Sequence, residues 1–340
     1  MAESAEQTMR TGTWHVDVAE HIFGDGAPFP QCHASTLVEL AGGAFLAAWF
    51  GGTHERHPDV GIWLSRRDGG RWSPPVQVAK VRPSPHWNPV LFAPPGKSVH
   101  LFFKVGDTIA AWETWIQTSA DGGASWSAPR ELVPGDRGGR GPVKNKPIIL
   151  SNGEWLAPAS LEPSIDDKKI WDAFVDRSTD GGRTWQASEL VPLDHAAFVG
   201  PGLIQPTLWE SAPGRVHMLL RSSAGAIYRS DSADFGRVWS PAYRTALPNN
   251  NSGIDLAQLA DGELVLAFNP VNVAKVRTPL SIVLSRDNGA TWTDRLDLET
   301  DPGGGFAYPA VIPSGRGVAI TYTWNRLRIA FWKGWFEPNR

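Results

Sequence analysis

The chain has 340 residues, 41% hydrophobic and 20% charged, with a formal net charge of -3. That balance offers no basic face for nucleic acid or an anionic membrane, and no apolar run reaches the roughly 18–20 residues that span a bilayer. Its single cysteine, Cys32, excludes an internal disulfide framework.

In chain order, residues 1–11 read as a flexible tail, and Met1 to Arg10 lack the apolar core of a secretory leader. The expectation is therefore a cytoplasmic protein, or a secreted one if a leader has been removed. A strand is predicted near Thr13–Val18, followed by Thr36–Glu39, Ala44–Phe50 and Val60–Leu64. The last of these runs into Ser65-Arg-Arg-Asp68-Gly-Gly70-Arg-Trp72, and related segments follow at Ser119–Trp126, Ser178–Trp185, Ser232–Trp239 and Ser285–Trp292. Those four fit Ser-x-Asp-x-Gly-x-x-Trp, whereas the first spaces its Ser and Asp differently. Successive tryptophans (72, 126, 185, 239, 292) stand 54, 59, 54 and 53 residues apart. A period of about 55 residues marks a supersecondary unit repeated around an axis. Within the unit, Asp accepts backbone N–H groups, Gly permits positive φ and Trp folds back onto the hairpin. Apolar strands such as Ala226–Arg229, Glu263–Phe268 and Leu280–Leu284 fill the repeats, so each unit is a four-stranded antiparallel blade. The C-terminal strands Tyr308–Ile312, Gly317–Thr323 and Arg328–Trp335 are expected to take the N-terminal strand as their fourth, closing the ring. The fold class is all-β: one six-bladed β-propeller over residues 1–340, with seven blades as the alternative. A closed ring needs no partner to hide its edges, so a monomer is expected.

These boxes resemble the repeats of bacterial sialidases (neuraminidases), and the resemblance runs over nearly the whole chain. Sialidases open their first blade with Phe-Arg-Ile-Pro, whose Arg grips the substrate carboxylate. Here the stretch is Phe29-Pro30-Gln31-Cys32-His33-Ala34-Ser35, with Gln31 or His33 in place of the Arg. The resemblance implies an acid/base at Asp59, in the loop Gly51–Asp59, with Arg56 as its neighbour. A second family Arg follows an inner strand of a later blade. After Glu263–Phe268 this chain has Asn269-Pro270, with Arg277 a little downstream. The family's nucleophilic tyrosine corresponds to Tyr308, in Phe306-Ala307-Tyr308-Pro309-Ala310. The scaffold and the tyrosine carry over, and the carboxylate clamp does not. The first-blade stretch is also similar to that of propeller lyases and rhamnosidase-like enzymes acting at rhamnosyl-glucuronate or other uronate linkages, which place a His at the propeller mouth.

Polar residues recur just before each inner strand: His33, then His86 with Trp87 and Asn88, Lys144 with Lys146, Gln205, Asn251 and Tyr308, and Arg221 interrupts an apolar strand. Trp87, Trp112, Glu113 and Trp115 are candidate sugar-stacking walls. Three readings are open. The favoured one is a lyase that eliminates at a uronate, with His33 or His86 as base, Tyr308 or the other His as acid, and Lys144, Lys146 and Arg221 stabilising the enolate-like intermediate. The second is an exo-α-sialidase with Tyr308 as nucleophile, Asp59 as acid/base, and Arg221, Arg277 and Lys144 replacing the clamp. The third is a glycan-binding propeller without catalysis. In each, the partner is an acidic oligosaccharide or glycan, contacted also through Gln31, Arg56, Trp87, Asn88, Gln205 and Asn251. No cofactor is implied, since no phosphate-binding glycine loop follows a strand. His54 and His57 lie in a loop without a metal-ligand partner pattern, so no metal is expected.

Overall fold

The computed structural model describes residues 12–165 and 167–339, and the expected tail at 1–11 lies outside the described residues. Apart from one short helical turn at Ile109–Ala111, every element among them is a strand. Six antiparallel sheets are arranged as propeller blades. Blade 1 contains Gln31–Glu39, Phe45–Gly52 and Gly61–Asp68, with Arg71–Trp72 and Val76–Ala79 sharing the outer place. Blade 2 is His86–Phe92, Val99–Val105, Glu113–Ser119 and Arg130–Glu131, and blade 3 is Ile148–Ile149, Trp155–Leu161, Asp172–Ser178 and Gln186–Ala187. Blade 4 is Leu203–Ala212, Arg215–Ser222, Ala226–Ser232 and Tyr243–Pro248, and blade 5 is Asp255–Gln258, Leu264–Phe268, Leu280–Ser285 and Thr293–Glu299. Blade 6 closes the ring: Phe306–Ser314, Gly317–Trp324 and Arg328–Pro338 take Gly12–His21 as their fourth strand, from Thr13 opposite Glu337 to His21 opposite Ala330.

Adjacent blades pack face to face, so their middle strands are covered on both sides and read as unbroken apolar runs. In Phe45–Gly52 every residue is buried. Four boxes share one hydrogen-bond pattern. The serine hydroxyl donates to the aspartate at 2.7–2.8 Å, and the glycine N–H donates to the serine Oγ at 2.7–2.9 Å. The first box departs from it. Ser65 Oγ donates instead to the Ser73 carbonyl, and Asp68 pairs with Arg66.

Strand pairing also determines which end of the ring carries chemistry. The start of each inner strand lies opposite the end of the second strand, as Phe306 opposite Trp324 and His33 opposite Phe50. The loops from second to third strand therefore share one mouth with the inner-strand starts. The box hairpins, between third and fourth strands, occupy the opposite end.

Candidate active site

At the equivalent place in each blade one non-glycine residue has positive φ: Ala34, Asn88, Lys144, Gln205, Asn251 and Tyr308. In blades 1, 2, 4 and 6 the ladder register shifts there. Such left-handed positions cost about 1–2 kcal/mol each for residues bearing a Cβ, and bulges of this kind re-aim side chains beside active sites. Asn88, Gln205 and Tyr308 line a cavity of about 430 Å³, together with Trp87, Arg56, Arg221 and Arg277. A wider hollow at the outer rim, between residues 20–28 and 70–75, gathers no comparable cluster of cations.

The centre of the cavity is Tyr308 among three guanidinium groups. Arg221 Nη1 donates to Tyr308 Oη at 2.7 Å and to Gln205 Oε1 at 2.9 Å, while its Nε donates to Asn251 Oδ1 at 3.0 Å. The Cζ atoms of Arg221 and Arg277 each lie 5.7 Å from the Tyr308 ring centroid. Arg326, in the three-residue turn of blade 6, completes the set and pairs with Glu55 at 2.7 Å. Burial lowers the Arg277 pKa, as do the Arg326 and Arg221 charges, while Tyr308 and Glu55 oppose them. Backbone bonds fix these loops: Phe306 N–H donates to the Arg277 carbonyl at 3.0 Å, and Cys32 N–H to that of Arg326 at 2.8 Å. Among the described residues neither Arg221 nor Arg277 has a carboxylate in ion-pair contact. The lining carries Arg56, Lys169, Arg221, Arg277 and Arg326 against Glu55, Asp107 and Glu162. An excess of cations around a concave site suits an anion, and the guanidinium fork suits a carboxylate.

Other expected residues stand elsewhere. His33 is buried behind the tyrosine, its ring 4.3 Å from that of Tyr308 and its Nδ1 2.9 Å from Thr323 Oγ1. Burial, with Arg326, Arg277, Arg221 and Lys144 nearby, holds its pKa well below the usual histidine value, so it is neutral and shielded from the cavity. His86 is an interior loop clasp. Its Nε2 accepts the Val81 N–H at 2.8 Å, its Nδ1 lies 2.9 Å from the Ser84 carbonyl, and burial lowers it to about 4. Asp59 closes its own loop through Thr53 N–H (3.0 Å) and Thr53 Oγ1 (2.6 Å); the same loop presents Glu55 and Arg56 to the cavity. Gln31 pairs with Gly52 at a strand end and is not in the lining. Asn251 touches the site only through Arg221.

The two lysines run beneath the site. Lys144 Nζ donates to Asn145 Oδ1 at 2.8 Å, the Ile254 carbonyl at 2.7 Å and the Pro309 carbonyl, tying blades 3, 5 and 6 together. It can pass there because position 253 is glycine: a Cβ would stand 2.8 Å from Lys144 Cε. Lys146 pairs with buried Asp255 at 3.0 Å, and Asp255 also accepts from Thr207 Oγ1 and the Val311 N–H. Neither lysine lines the cavity, and the cations around Tyr308 are arginines from blades 4, 5 and 6. Trp87 and Trp112 do form a wall, 6.1 Å apart and edge to face, whereas Glu113 is held by Arg82 at 2.6 Å and by Trp115 Nε1.

Arg326, Glu55, Glu162 and Trp171 were not anticipated. Arg326 had a signal: Asn325-Arg326-Leu327 is the short connection between two expected strands of the last blade, at the same mouth as Tyr308.

Residues 43–320 match the BNR repeat-like domain. The chain belongs to the BNR repeat-like family. Among curated relatives, a sialidase of Bacteroides fragilis is 26% identical over 210 residues, which take in 57% of this chain and 36% of that protein. The family member thus spans little more than a third of the relative's length. Among solved structures, a Dyadobacter fermentans protein of unknown function superposes with a TM-score of 0.75 at 16% identity, covering 96% of this chain and 99% of the other. A mutant NanB sialidase of Streptococcus pneumoniae gives 0.73 at 14% identity, covering 93% and 70%. At these identities the structural likeness establishes the fold, a sialidase-like BNR propeller. Among the described residues no cluster of three His, Cys, Asp or Glu could hold a metal, and no helix is long and apolar enough to cross a membrane.

Proposed function

We propose that the chain is a glycoside hydrolase of the sialidase kind, cleaving a terminal sugar that bears a carboxylate. The observation that carries this reading is the convergence of Arg221, Arg277 and Arg326 on Tyr308. A substrate carboxylate would be held between these guanidinium groups, of which, among the described residues, only Arg326 is already paired with a carboxylate, that of Glu55. Held there, the anomeric carbon faces Tyr308 Oη. The reacting form of the tyrosine is the phenolate, whose charge Arg221 Nη1 stabilises. Attack expels the aglycone oxygen with its electron pair, which leaves as an alcohol once protonated, and yields an aryl glycoside of Tyr308 that water then cleaves. A tyrosine nucleophile is the recognised exception to the two-carboxylate scheme of glycoside hydrolysis, and here the guanidinium groups offset both its charge and that of the substrate carboxylate.

One observation favours a second reading, elimination at a uronate: the phenol of Tyr308 meets a guanidinium and, among the described residues, no carboxylate. Tyr308 would then take the proton beside the substrate carboxylate while the arginines hold the enolate-like charge. Purified protein incubated with a sialyl aryl glycoside and with rhamnosyl-glucuronate oligosaccharides separates the two. Free acidic sugar without ultraviolet absorbance of an unsaturated uronate, lost in Tyr308→Phe, supports hydrolysis. An unsaturated product supports elimination, and turnover by Tyr308→Phe at the wild-type rate refutes both.

A further inference from the structure

We propose that Glu162 is the proton donor to the leaving group, taking the role that the family resemblance implied for Asp59. The proposal rests on the hydrolase reading and adds its missing acid. Glu162 follows directly on the blade 3 strand Trp155–Leu161, at the mouth, and lines the same cavity as Tyr308 and Arg221. Its carboxyl makes no hydrogen bond or ion pair among the described residues. Of the other acids, Asp59 is bonded to Thr53 and is not in the lining, Glu55 is paired with Arg326, and Asp107 lines the cavity from an exposed position on the blade 2 loop.

The charged groups that act on Glu162 come from three directions: Arg221 in blade 4, Lys104 in blade 2, and Lys169 in the short strand Lys168–Lys169, which pairs with Ser164–Ile165 after the second strand of blade 3. Burial raises the carboxyl above its ordinary value, outweighing those three cations. A carboxyl kept protonated by its surroundings, yet stabilised as an anion once the proton has gone, meets the requirements of an acid that must reload as a base.

The step balances as follows. Tyr308 Oη, as phenolate, bonds to the anomeric carbon. The bond from that carbon to the leaving oxygen breaks, its electron pair stays on the oxygen, and the Glu162 proton moves there, releasing an alcohol. The Glu162 carboxylate then takes a proton from water as the water oxygen attacks the anomeric carbon. The sugar leaves with a hydroxyl, Tyr308 returns as phenolate and Glu162 as acid.

The test compares Glu162→Gln with wild type on two acidic glycosides of one sugar, one with a 4-nitrophenyl leaving group and one with an alkyl or sugar leaving group. A nitrophenolate departs without help, so the variant should lose about 10²–10⁴-fold in kcat/KM on the alkyl glycoside and less than about 10-fold on the aryl one. The alkaline limb of the kcat/KM profile should vanish with it. Equal loss on both substrates, or none, overturns the proposal. In parallel, infrared difference spectra between wild type and Glu162→Gln at mildly acidic pH should show the band of one protonated carboxyl missing from the variant. Its absence from wild type overturns the proposal without reference to turnover. A wild type inert on both glycosides but retaining that band instead overturns the hydrolase reading.

Discussion

Replacing Arg326 by Ala removes one arm of the arginine clamp and frees Glu55, so its effect has two parts. A substrate carboxylate about 4 Å from a guanidinium in a partly open site gains about 4 kcal/mol at an effective dielectric near 20. Much of that is returned, because the carboxylate gives up water and Arg326 gives up its 2.7 Å contact with Glu55. A net 1.5–3 kcal/mol, the usual range for a hydrogen bond to a charged group, predicts a fall of about 10- to 150-fold in kcat/KM. The unpaired Glu55 carboxylate then adds repulsion of its own. The double variant Arg326→Ala/Glu55→Gln should therefore recover part of the loss, roughly 3- to 10-fold, while Glu55→Gln alone stays near wild type. The assay is steady-state kinetics on an acidic glycoside and on its methyl ester. On the ester, Arg326→Ala should matter little. Equal losses on acid and ester, or a double variant no better than Arg326→Ala, would refute a carboxylate bound between these arginines.

Three further outcomes follow from the same geometry. His86 titrates at about 4 in the folded chain against 6.5 when exposed, chiefly through burial, so the unfolded chain binds the proton first as pH falls. Its contribution is complete above pH 6.5 and lost towards pH 4; urea titrations of His86→Gln should show a flatter decline over that interval, by roughly 3 kcal/mol at most. Lys144→Met leaves Asn145 Oδ1 and the Ile254 and Pro309 carbonyls without their buried donor, and should cost about 3 kcal/mol or more, read as a lower unfolding midpoint. Asp287→Ala removes an acceptor from Ser285 Oγ (2.8 Å) and the Thr291 N–H (2.8 Å), and should cost about 1–2 kcal/mol while leaving kcat/KM unchanged, since the box lies at the end remote from Tyr308.

The architecture was legible because four of the five boxes are self-contained networks, in which Ser, Asp and Gly within five residues satisfy one another, so their spacing survives as a pattern in the chain. The site is different in kind. Beside the inner-strand residues and Arg221, its parts come from second-to-third-strand loops, whose lengths and compositions differ from blade to blade and share no motif. The repeat marks a special inner-strand position in every blade, and all six do adopt positive φ, yet their side chains diverge. Lys144 turns under Gly253 to the axis, Asn251 stops at Arg221, and Tyr308 enters the cavity. Which way each points is decided by contacts with other blades, between residues 30 to 165 positions apart, that no local pattern encodes. The same argument accounts for the arginine clamp. A guanidinium from the blade 6 turn reaches the mouth beside the first strand of blade 1, which carries none, because ring closure brings Arg326 beside Cys32 and Glu55. Substitution of a binding cation from another blade preserves the charge at the site while erasing its sequence position, so a missing motif residue in a propeller is weak evidence that its function is missing.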